Sequence, residues 1–177
     1  MSDKEQVYAV GDWIVHLTYG VGQIQKKEKK TIGGIKRMCF RVKTDDGVFW
    51  LPIDNANNER IRPIASPTSI QRALRILKRA PKKMDANYKT RRKRIQKVCL
   101  DGDLRTDMRL VRDLHARQFK KGLNETEVHA LTFTTNRFLK EWSLCKGLEI
   151  NEARRKFEHF LKISREKEIQ NQDSQTA

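Results

Sequence analysis

The feature that most limits how this chain can fold is a change of periodicity at Pro63-Ile64-Ala65-Ser66-Pro67. Before it, residues 7–64 run as short β-branched and aromatic stretches: VGDWIVHL, VGQIQKKE, IKRMCFRVK and GVFWLPI. Tyr19-Gly20, Gly33-Gly34 and Asp45-Asp46-Gly47 separate them. Such runs between glycine-rich breaks predict strands joined by hairpins, because Gly, and to a lesser degree Asn and Asp, accepts positive φ cheaply. A helical reading would have to absorb five glycines between 20 and 47. Four or five short strands suit a small Tudor- or SH3-like β-barrel, closed or half open.

Beyond Pro67 the apolar spacing becomes helical. Thr68 or Ser69 is expected to cap a helix carrying Ile70, Ala73, Leu74 and Leu77, ended by Pro81. A second helix opens near Asp85 or Asn87 and runs through Leu100 to the break at Asp101-Gly102-Asp103. A third covers about 104–120 and stops at Gly122. Asn124-Glu125-Thr126-Glu127 has the form of a capping box, so a fourth helix follows, with Val128, Leu131, Thr135, Phe138, Trp142 and Cys145 as its seam. Gly147 ends it. Asn151 then opens a fifth helix with Ala153, Phe157, Phe160 and Leu161. The expected class is α+β: a β domain over 1–66, an all-α domain of about five helices over 67–170, and a polar, disordered tail over 171–177.

Charge is distributed as unevenly as periodicity. The net charge is +16. Residues 1–66 hold 11 Lys and Arg against 8 acids, residues 67–124 hold 18 against 5, and residues 125–177 hold 9 against 9. The excess is therefore local, which predicts a surface for nucleic acid or another polyanion. Its densest part is NYKTRRKRIQK, residues 87–97, and there is no acid between Asp85 and Asp101. At about 100° per residue, Ile95, Val98 and Cys99 can pack while Lys89, Lys93, Arg94 and Lys97 spread over the opposite side. A solvated helix would normally interleave acids for i,i+4 pairing. Asp101 and Asp103 read as turn and cap residues, and Asp113 as an ion-pair partner for a neighbouring cation.

Several functions find no support in the residues. The four histidines stand singly, Cys39, Cys99 and Cys145 show no CxxC or Cys/His pairing, and phosphate-loop and nucleophile-elbow motifs are missing. No enzymatic activity, metal or cofactor is expected. The odd cysteine count suits reduced thiols in a cytoplasmic protein, and no signal or membrane segment is visible. Trp142 belongs to the helical core. Trp50 lies on the face of its strand opposite Phe49 and Leu51, so if those two fill the barrel, Trp50 faces outward.

The stretches VGDWIVHLTYGVGQI (10–24), KKTIGGIKRMCFRVK (29–43), LPIDNA (51–56) and LVRDLHARQFKKGLNETE (110–127) carry a resemblance. Together they make the chain similar to the CarD/CdnL-type bacterial transcription regulators, whose first domain is shared with the transcription-repair coupling factor. The resemblance spans roughly residues 8–146.

It implies a Tudor-like domain that docks on the RNA polymerase β subunit, in the holoenzyme with its sigma factor. It also implies a helical domain that touches promoter DNA, through phosphates and the minor groove, at the upstream edge of the melted bubble. Such regulators read no promoter sequence and stabilise the open complex. By position, polymerase contacts fall on Lys30, Thr31 and Ile32 and on the strand of Trp50, where relatives can carry Arg. Counting back from Gly102-Asp103, the family's wedging Trp falls on Tyr88, and Arg91 and Lys93 match basic family positions. The basic residues of some relatives' fourth helix are apolar or Thr here, which shifts the DNA grip onto 72–97. The implied DNA-binding set is Tyr88, Lys89, Arg91, Arg92, Lys93, Arg94 and Lys97, in a nucleoid-associated monomer. An RNA-binding or ribosome-associated module, and a protein-interaction adaptor without DNA contact, are the alternative readings.

Overall fold

The structure, a computed structural model, describes residues 8–56 and 59–176, with side chains through residue 174. The chain divides into two compact units between Ile64 and Ala65.

The first unit is one antiparallel sheet. Its strands are β1 (Trp13–His16), β2 (Gly20–Ile32), β3 (Ile35–Thr44), β4 (Val48–Pro52) and β5 (Ile61–Pro63), in the order β4-β3-β2-β1-β5. The sheet remains open, in the Tudor-like manner. Period-two alternation places Ile14, Ile24, Phe40, Val42, Leu51 and Ile61 in one buried cluster with Tyr8, and Phe49 leans on its margin. Gly22 is required by proximity: a Cβ there would stand 2.6 Å from Val42 Cγ1. Gly33 and Gly34 close the β2–β3 hairpin at φ +58° and +81°. The two-residue turn that matches the twist of the strands needs positive φ at both positions.

The second unit consists of α1 (Pro67–Leu77), α2 (Tyr88–Asp101), α3 (Leu104–Lys121), α4 (Glu125–Lys146) and α5 (Ile150–Thr176). Ser66, not Thr68 or Ser69, caps α1. Its hydroxyl accepts from the Ser69 amide and Pro67 takes the first helical position, where its missing N–H costs nothing. Asn87 caps α2, Asp103 caps α3, and Asn124 with Glu127 forms a complete capping box on α4. The largest core joins Ile70 and Leu77 of α1, Met108 and Val111 of α3, Phe138 and Trp142 of α4, and Phe157 and Leu161 of α5. Where a structureless tail is expected from about 170, α5 continues as helix through Thr176.

The seam of α4 differs from the one its apolar residues outline. Val128 is exposed, and the buried face includes Glu127, Thr134, Arg137 and Glu141. The charged ones among them have distant partners: Arg137 donates to Asp107 at 2.7 Å, and Glu141 accepts the Ala65 amide. An apolar count cannot see a buried charge whose counter-charge lies on another helix.

Candidate functional site

The basic helix α2 is held down by little apolar surface. Ile95 and Val98 enter a small core with Met84, Leu110, Leu114 and Ala130. Each such side chain contributes about 1.5–3 kcal/mol on full burial. Ion pairs supply the rest of the anchorage. Arg91 is buried: its Nε donates to Glu127 Oε1 at 2.5 Å, and its Nη1 donates to the carbonyls of Asp85 and Ala86. Arg94 donates to Asp113 Oδ2 at 2.6 Å, and the same carboxylate holds Arg112. Burial pushes the Glu127 carboxyl upward, but bonds from Arg91 and the Asn124 amide, with the charges of Arg91 and Arg117, outweigh it. The group sits below the usual glutamate range.

The cations of α2 therefore fall into two sets. Of the residues expected to face phosphates, Arg91 is buried in the domain, and Arg94, half-buried, is tied to Asp113; both anchor the helix. The acids missing from residues 86–100 come from α3 and α4. Lys89, Arg92, Lys93 and Lys97 are exposed and, among the described residues, form none of the ion pairs found here. Lys89, Lys93 and Lys97 make a row with spacing four, which advances about 6 Å along the axis per step. Repulsion between such neighbours is only about 0.7 kcal/mol in water, so the row is tolerable in solution and relieved by any polyanion laid along it. Arg92, Gln96 and Leu100 continue a second exposed row that begins at Tyr88. Tyr88 stands in the first turn, 44% exposed, with the Arg91 guanidinium 6.0 Å from its ring centre. Gln96 and Leu100 carry no charge that would mark them. Their shared row with Tyr88 and Arg92 is the signal that finds them.

The first unit brings together a different group. In the β3–β4 register Trp50 faces Arg41, on the side away from the buried cluster. Its indole Nε1 donates to Glu28 Oε1 at 2.6 Å, and Lys30 Nζ lies 4.0 Å above the ring. Lys26 pairs with Glu28 at 2.7 Å. Bonds from Lys26 and Trp50 hold the Glu28 carboxyl below its usual range. Lys30 and Trp50 thus share one patch, whose third member, Glu28, sequence reasoning missed because it depends on strand register. Thr31 and Ile32 lie further along, exposed beside the hairpin turn, where Ile35 and Met38 are exposed as well. An arm with this much uncovered apolar surface is suited to a protein partner.

Among the described residues, no group of three or more His, Cys, Asp or Glu side chains could hold a metal ion, and no helix is long and apolar enough to cross a membrane. An open Tudor-like sheet with an aromatic–cation patch, followed by a helical unit with an unpaired cationic row, defines a binding module of two units. Residues 8–65 match the CarD-like/TRCF RID domain, and residues 72–158 match the CarD C-terminal domain. The chain belongs to the CarD-like family, whose domains are those of RNA polymerase-interacting regulators of transcription, regulatory rather than catalytic.

Proposed function

We propose that this protein acts at transcription initiation by bridging RNA polymerase and promoter DNA. The patch of Lys30 and Trp50, with Thr31 and Ile32 on the adjoining arm, docks on the polymerase β subunit. Helix α2 lies along DNA at the upstream edge of the melted bubble. Lys89, Arg92, Lys93 and Lys97 contact phosphates without reading sequence. Tyr88 enters the minor groove at the fork, where its ring props the opened step and its hydroxyl bonds to a base edge or phosphate. Arg91 from inside the domain and Arg94 through Asp113 hold that helix in place. The Tyr88 contact forms only when the DNA is open, so it draws the equilibrium from closed towards open complex.

The observation that carries this reading is the exposed Tyr88 at the head of an unpaired cationic face, in a chain of this family. The test is the lifetime of open complexes on a fork-forming promoter with polymerase holoenzyme. Tyr88→Ala should shorten it by roughly fivefold or more, the lower end of what one base-stacking ring contributes. Co-purification with polymerase should remain intact. An unchanged lifetime rejects the wedge.

A further inference from the structure

The helical unit also carries a half-open pocket of about 340 Å³, and none of its lining residues lies on α2. Its walls are the segment before α2, the C-terminal half of α3 and the end of α5. Lys82, Lys83, Arg117, Lys120 and Lys121 line it. The two lining carboxylates are already engaged: Asp113 accepts from the Lys82 amide, Arg94 and Arg112, and Glu168 pairs with Lys120. Positive charge therefore exceeds negative among the lining side chains. Arg117 Nε is buried without a hydrogen-bond acceptor, and Glu127 Oε2 stands 3.6 Å from it, beyond good hydrogen-bond reach. That Nε is closed to solvent, so an anion in the cavity would meet Arg117 at the outer end of its guanidinium, whose charge the long contact to Glu127 leaves only partly balanced.

We propose that this cavity binds a small phosphorylated molecule of nucleotide size. Its phosphates would pair with Lys83, Arg117 and Lys121, and its body would rest on Met84 and Ala116. The volume falls at the lower end of the range of about 300–1,000 Å³ typical of small-molecule sites. A terminal phosphate carries about 1.5–2 charges at neutral pH, so a diphosphate balances the excess where a single carboxylate does not. Duplex DNA cannot enter a space of this size, and the Arg117 side chain is only 16% exposed. The site is also wired to α2. Arg117 shares Glu127 with Arg91, and Asp113 of the cavity wall holds Arg94. A ligand that draws on Arg117 leaves Glu127 to Arg91 alone.

The test is calorimetric titration of the full chain with ADP and, separately, with inorganic pyrophosphate, in a buffer of about 0.15 M ionic strength so that diffuse attraction is screened. Saturable one-to-one binding of ADP is expected. Lys121→Glu, at the exposed end of α3, should raise its Kd by about tenfold or more. Lys93→Glu, on the outer face of α2 and not among the lining residues, should leave the Kd within about twofold. Pyrophosphate binding as tightly as ADP assigns the affinity to the phosphates, and weaker binding assigns part of it to the apolar floor; both support the site. Absence of saturable heat with either probe overturns it. So does an equal loss in Lys93→Glu and Lys121→Glu, which marks diffuse attraction to the basic surface. Both variants are checked for an unchanged melting profile, and neither readout depends on polymerase or promoter DNA.

Discussion

The cations of the first unit and those of α2 are both crowded, yet they are disposed of differently. On the sheet, Lys26 meets Glu28 two residues along its own strand, while Lys30 and Glu28 reach Trp50 on β4 across the intervening β3, so the partners share one face of the same sheet. On α2 the partnering runs to other helices, fully buried at Arg91 and part-buried at Arg94. Arg91 and Arg94 reach acids 36 and 19 residues away, while Lys89, Lys93 and Lys97 pair with none of the described acids. Charge density alone does not mark a polyanion surface. What marks it is the set of cations left over once the buried carboxylates are taken.

The largest effect that tests this division is expected at Glu127. Glu127→Ala strands Arg91 and Arg117 in a desolvated site and should cost about 3–5 kcal/mol of the helical unit's stability, read by denaturant unfolding. A cost under about 1 kcal/mol would mean that the inward arginines are no more structural than surface ones. Next comes the outer row. Replacing Lys89, Lys93 and Lys97 together by Ala should flatten the dependence of DNA affinity on log salt by about 0.9 per lost contact. Their removal should change unfolding stability by no more than about 0.5 kcal/mol per site. If the slope holds, the row does not meet phosphates. A smaller effect is expected on the sheet. Lys30→Glu loses an exposed cation–aromatic contact of about 0.5–1 kcal/mol. It should weaken polymerase binding while free DNA binding stays unchanged.

The smallest effect is a pH dependence confined to the first unit. His16 Nδ1 accepts from the Thr18 and Tyr19 amides, which requires it to be unprotonated. Burial, assisted by the charge of Arg60, holds its pKa below 6.5. The folded value lies below the unfolded one, so the unfolded chain binds the proton more readily. Stability is then complete above about pH 6.5 and falls as pH drops through the folded value. Thermal melts from pH 7.5 to 5 should show this loss, and His16→Asn, whose side-chain oxygen accepts without titrating, should flatten it.

Much of this arrangement is legible in the residues. Glycine placement and β-branched runs mark the strands, because a backbone at positive φ tolerates few other side chains. Capping residues and period-3.6 spacing mark the helices within a few positions. The outward setting of Trp50 follows from alternation, since Phe49 and Leu51 claim the inner face. Less legible is α4, where a stripe that counts only apolar residues passes over Glu127, Arg137 and Glu141. The end of α5 is likewise decided by helix continuation rather than by its polar composition.

NYKTRRKRIQK shows where the boundary lies. Its sequence determines a helix that begins at the Asn87 cap, carries Tyr88 in its first turn and lacks acids of its own. Helical geometry then orders six cations around the axis. Which of them are available was decided only by tertiary structure. Asp113 and Glu127 arrive from elements distant along the chain, and a buried carboxylate must take a counter-charge to remain ionised. That requirement draws Arg91 inward, ties half-buried Arg94 to Asp113, and leaves Lys89, Arg92, Lys93 and Lys97 facing solvent beside Tyr88.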